Sequence, residues 1–475
     1  MISLQDILEV ENDSALLDVR CPQTGLLLWP LVRQEVIQWV ISEQVYKTAS
    51  LINLSPQVQS RTKAVSALLK AAWHNLTFNA KTSPILLMAT GAGLITKNGQ
   101  LFNRLSDYFA LQHHENTLVI EDLFNWNWPE NRANNKVMYH TPTQVKMSIY
   151  SNLKVTHKHV SLAKQLLDIF TTNLKLKLGI ALPEHIYQLV QRRLSKKIAI
   201  LPVRKQFYQA LLAKLQPTLL IKEEACYGHS AVINHTAREM GIYVAEYQHG
   251  AINAGHDAYN HGARLITDSD YQSLLPNALL SYGEWWHQYI NLPVEKTAIG
   301  NPHRSERLAA TSAGQVHKNE ILVLGDGIET GMYLELAVFL SKNLPAFKVV
   351  FRPHPLERQK LNEILSSTSL DKLSIDSRLD IYDSFRNAHV VINEVSTGLF
   401  EAVGLVDRVL IWDTPKSNFY FPHHPFESFT DKEDLLAKIL QPDQGLIAAG
   451  QAENIWASGW QDNYHNFARK HLRNV

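Results

Sequence analysis

Residues able to do acid–base or anion chemistry recur in this chain where short apolar runs stop. The stretch IYVAEYQHG at 242–250 delivers Gln248, His249 and Gly250 at the end of a predicted strand, and PTLLIKEE at 217–224 delivers Glu223 and Glu224 at the end of another. A general base must take a proton from a hydroxyl near neutral pH. An imidazole does so unperturbed, whereas a carboxylate needs its pKa raised by its surroundings. His249, Glu223 and Glu224 are therefore the candidate catalytic groups. His256, Tyr259 and His261 follow in a polar loop, as a rim for a reactant or as structural polar residues.

A second set lies further along the chain. GDGIETG at 325–331 offers Gly325, Asp326 and Gly327 in a loop whose bare backbone can approach a phosphate or a sugar; a simple turn is the alternative. FRPHP at 351–355 holds Arg352 and His354 beside two prolines, the second being Pro355, with an imidazole and a guanidinium suited to a phosphate or a base. NEVSTGLFEA at 393–402 sets Ser396, Thr397 and Gly398 between a strand and a helix, where hydroxyls and amide N–H groups suit an anion; Glu401 could accept from ribose hydroxyls. An N-cap is the competing reading of the serine. WDTPKSNFY at 412–420 is a rim candidate. No metal is expected: DSD at 268–270 is the only literal DxD, and no carboxylate accompanies the histidines of the 256–261 loop at ligand spacing.

The elements that must position these groups alternate. Strand, helix and strand over 217–248 form a βαβ unit, with Gly241 fitting a left-handed helix cap, and such a unit implies a parallel sheet. Ligands of such sheets bind outside the carboxyl ends of the strands, which is where Glu223, Glu224 and Gln248–Gly250 fall. A second alternating region begins at 320. The chain is thus read as α/β with two facing doubly wound, Rossmann-like domains. A helical segment spans 1–80, a first domain 81–310 with a helical insertion at about 150–215, a second domain 320–455, and a C-terminal helix 456–475. The polar stretch 307–319 is the expected linker, and the tail either crosses back to the first domain or caps the second.

At 475 residues two domains are the default, and 45% hydrophobic with 19% charged residues excludes extensive disorder. A net charge of +1 excludes an overall attraction to nucleic acid. The basic run QRRLSKKIAILPVRK at 191–205 stands out as either a solvated helix face or a surface for an anionic substrate or membrane. Two distant cysteines, Cys21 and Cys226, support neither a disulfide framework nor a thiolate zinc site. The acidic amino terminus is not a signal peptide, and no apolar run reaches the roughly 20 residues that span a bilayer. A cytoplasmic protein is expected, with peripheral contact at the inner membrane or with other assembly proteins left open.

RPHP, the later STGLFEA after an apolar strand, and GNPHRSE between the two alternating regions resemble glycosyltransferases of the GT-B type. The His-Pro element and the Ser/Thr pair are similar to donor motifs of bacterial sialyltransferase-like and Kdo-transferase-like enzymes, and more distantly of polymerases that use CDP-glycerol. The resemblance covers about 217–415 and implies a nucleotide-sugar donor held by the second domain and a glycan or lipid-linked acceptor on the first. A CMP-activated nonulosonic acid is the first-choice donor. The resemblance makes Gly325–Gly327, Arg352, His354, Pro355, Ser396–Gly398 and Glu401 donor contacts, and Gln248, Gly250, His256 and Tyr259 acceptor contacts. No separate cofactor is implied. The alternatives are a non-hydrolysing UDP-sugar epimerase, a CDP-polyol phosphotransferase and a non-catalytic binding protein of glycan assembly. The chain departs from the sialyltransferase pattern: its acidic-Gly pair, Asp326–Gly327, lies in the second domain, so the base role of that motif does not transfer.

Overall fold

A computed structural model describes residues 2–46, 60–311, 318–354, 373–441 and 454–472. Apolar runs such as ILLMA and ALLS become strands buried along their whole length, as parallel sheets covered on both faces require. In the first domain these are β1 (Ile85–Ala89), β4 (Thr117–Glu121), β5 (Val137–Tyr139), β6 (Leu219–Lys222), β7 (Tyr243–Tyr247), β8 (Ala278–Ser281) and β9 (Glu295–Ala298). A hairpin of β2 (Leu94–Lys97) and β3 (Gln100–Asn103) turns through Asn98–Gly99, both at positive φ. The seven-stranded sheet runs β5-β4-β1-β6-β7-β8-β9, parallel throughout.

The second domain carries β10 (Glu320–Leu324), β11 (Lys348–Arg352), β12 (Leu373–Ile375), β13 (Ala388–Asn393), β14 (Arg408–Trp412) and β15 (Glu427–Phe429). Their order is β12-β11-β10-β13-β14-β15, again parallel. Each sheet therefore winds outward from its first strand, returns, and winds the other way. The reversals fall between β1 and β6 and between β10 and β13. The crevice at a reversal is where doubly wound sheets take ligands, so topology alone marks two places: Thr90 with Lys222–Glu224, and Gly325–Gly327 with Glu394–Thr397.

Helices α1 (Leu4–Glu9), α2 (Ser14–Asp18), α3 (Pro30–Trp39) and α4 (Arg61–Thr77) precede the first strand. A short α5 (Asp107–Gln112) follows the hairpin, and the long β5-to-β6 crossover contains α6 (Thr141–Lys154), α7 (His157–Leu178) and α8 (Glu184–Leu215). The βαβ helix is α9 (Ala231–Glu239), closed by Gly241 at φ +73°. Arg33 of α3 lies buried against Glu11 at 2.6 Å and donates to the carbonyls of Asp257 and Asn260 (2.6 Å to the latter), which ties the amino-terminal helices to the 256–261 loop. Gly228 lies so close to α3 that a Cβ there would stand 1.7 Å from the Pro30 carbonyl oxygen.

The expected linker is shorter than its composition suggested. A helix Pro302–Thr311 takes up 307–311, because RLAAT is a helix-forming sequence despite its small residues, and 312–317 lies outside the described residues. Pro355 and the stretch ERQKLNEILSS at 357–367, whose sequence reads as a helix, also lie outside them. The tail crosses back: the helix Trp460–His471 packs Tyr464 on Phe109 (ring centroids 4.8 Å) and His471 on Tyr243 (3.8 Å), both in the first domain. Trp286 and Trp456 donate to the carbonyls of Ile455 and Phe400 at 2.9 and 3.1 Å, joining the domains around a shared aromatic core. No described helix is long and apolar enough to cross a membrane.

Candidate functional site

His249 leaves β7 as expected, and a carboxylate stands behind it. Glu246, fully buried on the same strand, accepts from the Cys226 amide and the Tyr259 hydroxyl, both at 2.5 Å. Its Oε1 lies 3.8 Å from His249 Nδ1, and that nitrogen has no hydrogen-bond partner. On the other side, His249 Nε2 lies 3.4 Å from the Tyr227 hydroxyl, which lies 3.1 Å from His256 Nε2. His256 Nδ1 accepts from the Ala258 amide at 3.3 Å. Burial, then the nearby His249, push His256 down to about 3, so its neutral ring must carry its proton on Nε2. That N–H donates to the Tyr227 oxygen, leaving the phenol proton for His249 Nε2. Tyr227 is held protonated by its burial and by the carboxylates of Glu224 and Glu246. The hydrogen-bond pattern thus assigns the His249 proton to Nδ1, facing Glu246, with a basic lone pair on Nε2.

The neighbouring strand end separates the two glutamates. Glu223 is buried and accepts from the Thr90 amide (2.8 Å), the Thr90 hydroxyl (2.8 Å) and the Tyr247 hydroxyl (3.0 Å), so it fastens β6 to β1 and β7 instead of serving as a base. Glu224 is half-buried at φ +60°, a left-handed conformation costly for a side chain with a Cβ, with its carboxylate 3.3 Å from His229 Nε2. Burial raises its pKa, opposed by His249 and Lys222.

Several other expected contacts belong to the frame. Tyr259 is 1% exposed, its hydroxyl spent on Glu246. Gln248 is buried, bracing its own turn through the Gly250 carbonyl (2.8 Å) and the Tyr282 amide (2.8 Å). Arg352 points into the second domain, at 2.7 Å from Asp376 and 2.8 Å from Ser384, because a buried guanidinium must satisfy its donors where it lies. Glu401 is buried, accepts from Tyr382 (3.2 Å) and pairs across the domains with Arg104 (3.7 Å). Ser396 is the N-cap, its hydroxyl accepting from the Gly398 amide at 3.1 Å.

The structure does bring Gly250 and Thr397 together: the Thr397 hydroxyl accepts from the Ala251 amide at 2.9 Å, joining the His249 loop to the second-sheet reversal. Two glycines there are required by close approach. A Cβ on Gly398 would lie 2.5 Å from Leu324, and one on Gly327 would lie 2.8 Å from His354 Nδ1. Gly325 donates to the Arg352 carbonyl at 2.8 Å, closing that loop. Asp326 turns inward. With Glu329 and Glu394 it surrounds Lys416 Nζ at 3.0, 2.6 and 3.2 Å, and although burial opposes its charge, these carboxylates raise the lysine pKa. The three carboxylates are spaced as metal ligands could be, with the ammonium already among them.

Glu246 and Tyr227 escaped the sequence reading. The signal for Glu246 was its position three residues before His249, a carboxylate inside an otherwise buried strand, which needs a partner.

No protein-family model matches the chain and no curated protein matches it. Among solved structures it is similar to UDP-GlcNAc 2-epimerase from Methanocaldococcus jannaschii (TM-score 0.45, 10% identity, covering 82% of this chain and 99% of that one). It is also similar to the glycotransferase of kitacinnamycin (0.42, 10%, 83% and 100%) and to Os79 from O. sativa in complex with UDP (0.45, 10%, 82% and 100%). At these TM-scores the likenesses carry no argument; the two parallel, doubly wound sheets of the chain itself define its α/β, Rossmann-like architecture.

Proposed function

We propose that this protein transfers a sugar from a nucleotide-activated donor to an acceptor hydroxyl, with His249 as general base. The observation that carries the reading is the Glu246–His249–Tyr227 arrangement at the end of β7, set against the second-sheet reversal through Ala251 and Thr397. His249 Nε2, once the acceptor hydroxyl displaces the Tyr227 phenol that donates to it, would take the proton of that hydroxyl as its oxygen attacks the anomeric carbon and the bond to the nucleotide breaks. Glu246 would hold the ring by its Nδ1–H and stabilise the imidazolium that forms. Such contacts commonly tighten once substrate is bound, which suits the present 3.8 Å separation. The donor phosphates would lie at the second-sheet reversal, by the Gly325–Gly327 loop, His354 and the Thr397 turn, where negative charge develops as the nucleotide leaves.

A CMP-activated nonulosonic acid is the first donor to test, with a UDP-sugar or CDP-polyol behind it, and a bacterial surface glycan is the acceptor class. A thermal-shift panel of CMP, UDP, CDP and GDP identifies the donor, since the nucleotide that binds the native state raises its melting temperature. His249→Ala is expected to abolish transfer with nucleotide binding intact. Turnover of that variant at the wild-type rate removes the base assignment, and conversion of a UDP-sugar without any acceptor would replace transfer by epimerisation.

A further inference from the structure

The first-sheet reversal holds a cavity of about 430 Å³. Thr90, Asp122 and Lys222–Glu224 from the strand ends form its floor, α6 one wall and α8 the other. The basic run noted in the sequence supplies the second wall. Arg193, Lys196, Lys197, Ile200 and Arg204 recur at helical spacing, so one face of α8 turns four cations inward, and Lys222 adds a fifth from below. Asp122, Glu223 and Glu224 are the opposing carboxylates, and Glu223 is held by Thr90 and Tyr247. Arg193 and Lys197 share Glu35, and Lys222 donates to the Glu223 carbonyl at 2.7 Å. Lys196 and Arg204 have no hydrogen bond or ion pair among the described residues.

Cations gathered at the ligand crevice of a doubly wound sheet, two of them unpaired, are an anion site awaiting its ligand. We infer that this cavity binds a phosphate or diphosphate group carried by the acceptor. Lys196 and Arg204 are its principal ligands, and His229 with Glu224 separates it from His249. This rests on the transferase reading for the word acceptor, but the anion site itself does not.

The test uses the full chain and inorganic pyrophosphate, titrated calorimetrically. Wild type is expected to bind it, more weakly as salt rises, and Lys196→Gln/Arg204→Gln to bind about tenfold more weakly or worse. Arg204→Lys, which keeps the charge, retains most of the affinity. Displacement of pyrophosphate by glucose 1-phosphate supports a free sugar phosphate, and displacement by farnesyl diphosphate supports a lipid-borne one. The inference is overturned if wild type does not bind pyrophosphate at low salt, if the double variant binds as wild type does, or if the donor nucleotide competes for the same site. Because no turnover is read, failure here leaves the His249 assignment standing, and loss of that assignment leaves this one.

A separate observation concerns the outer side of the same wall. On α4, Val65, Leu69, Trp73 and Leu76 form one exposed stripe, with Trp73 70% and Leu76 81% exposed. On α6, which packs beside α4, Ile149 and Leu153 are likewise exposed, on the side away from the cavity. The two helices carry Arg61, Lys63, Lys70, Lys146 and Lys154 and no carboxylate. One of these cations, Lys70, pairs with the exposed Glu130 at 3.1 Å, and apolar residues flanked mainly by cations match an anionic bilayer surface. We propose that this face docks there. Sedimentation with phosphatidylglycerol-containing vesicles should carry the protein down, phosphatidylcholine vesicles should do so weakly, and Leu69→Glu/Trp73→Glu should abolish it. Equal binding to both vesicles, or none, overturns the proposal, as does a dimer through this face that vesicles do not dissociate.

Discussion

At the residue scale, His249 gains its proposed role from what surrounds it. A histidine at a strand end is common; one with a buried carboxylate facing Nδ1 and a protonated phenol facing Nε2 has its tautomer fixed. Glu246→Gln keeps the shape but removes the charge that balances an imidazolium, so kcat should fall by about 10²-fold or more with KM little changed, measured by steady-state kinetics. Tyr227→Phe should cost less, because the proposed base survives without its hydrogen-bonded neighbour. Glu224 makes a different prediction. Its left-handed backbone suits glycine, so Glu224→Gly should raise stability by about 0.5–1 kcal/mol in chemical denaturation while turnover drops. A loss of stability instead would mean that the His229 pair outweighs the strain.

At the scale of elements, the strands were largely legible because parallel strands buried on both faces are written as unbroken apolar runs bounded by loop residues. The Gly241 cap was legible for the same local reason. The hairpin at 94–103 was missed although its Asn-Gly turn is present, since its strands are half-exposed and lack an apolar run. The candidate site was legible only in part. Position at a strand end could be read, but the direction of a side chain could not: Arg352, Glu401 and Tyr259 lie near the expected places and face inward. What decides them is the partner across the fold, such as Asp376 for Arg352, over 20 residues away in sequence. The contact of α3 with the 228 turn makes a further prediction. Gly228→Ala must push a backbone carbonyl aside, costing about 1–3 kcal/mol in urea unfolding, and should disturb the adjoining Tyr227 and His229 enough to lower activity.

At the scale of the whole molecule, buried ionisable groups of opposite kind set the pH response. His256 is neutral in the fold and titrates near 6.5 when unfolded, so its contribution is full above 6.5 and is lost as pH falls toward 3. Glu121 runs the other way. Burial, only partly offset by Arg132, raises it to about 7, so stability is lost as pH climbs from about 4.5 to 7. Unfolding midpoints of His256→Gln and Glu121→Gln across this range should therefore diverge from wild type with opposite slopes, each at most about 1.4 kcal/mol per pH unit. Parallel curves would show that neither group is held as described.

The return of the Trp460–His471 helix to the first domain has a mechanical consequence. The second domain is spliced between two passages of the chain, one after the helix Pro302–Thr311 and one at Ile455–Trp460, so it is tethered at two points. A body on one tether can swivel freely, whereas a body on two turns mainly about the line that joins them. Opening and closing of the second domain against His249 is thereby reduced toward a single rotation, and severing the rear tether, by cutting the chain before Trp460, would free the angle at which Thr397 meets Ala251.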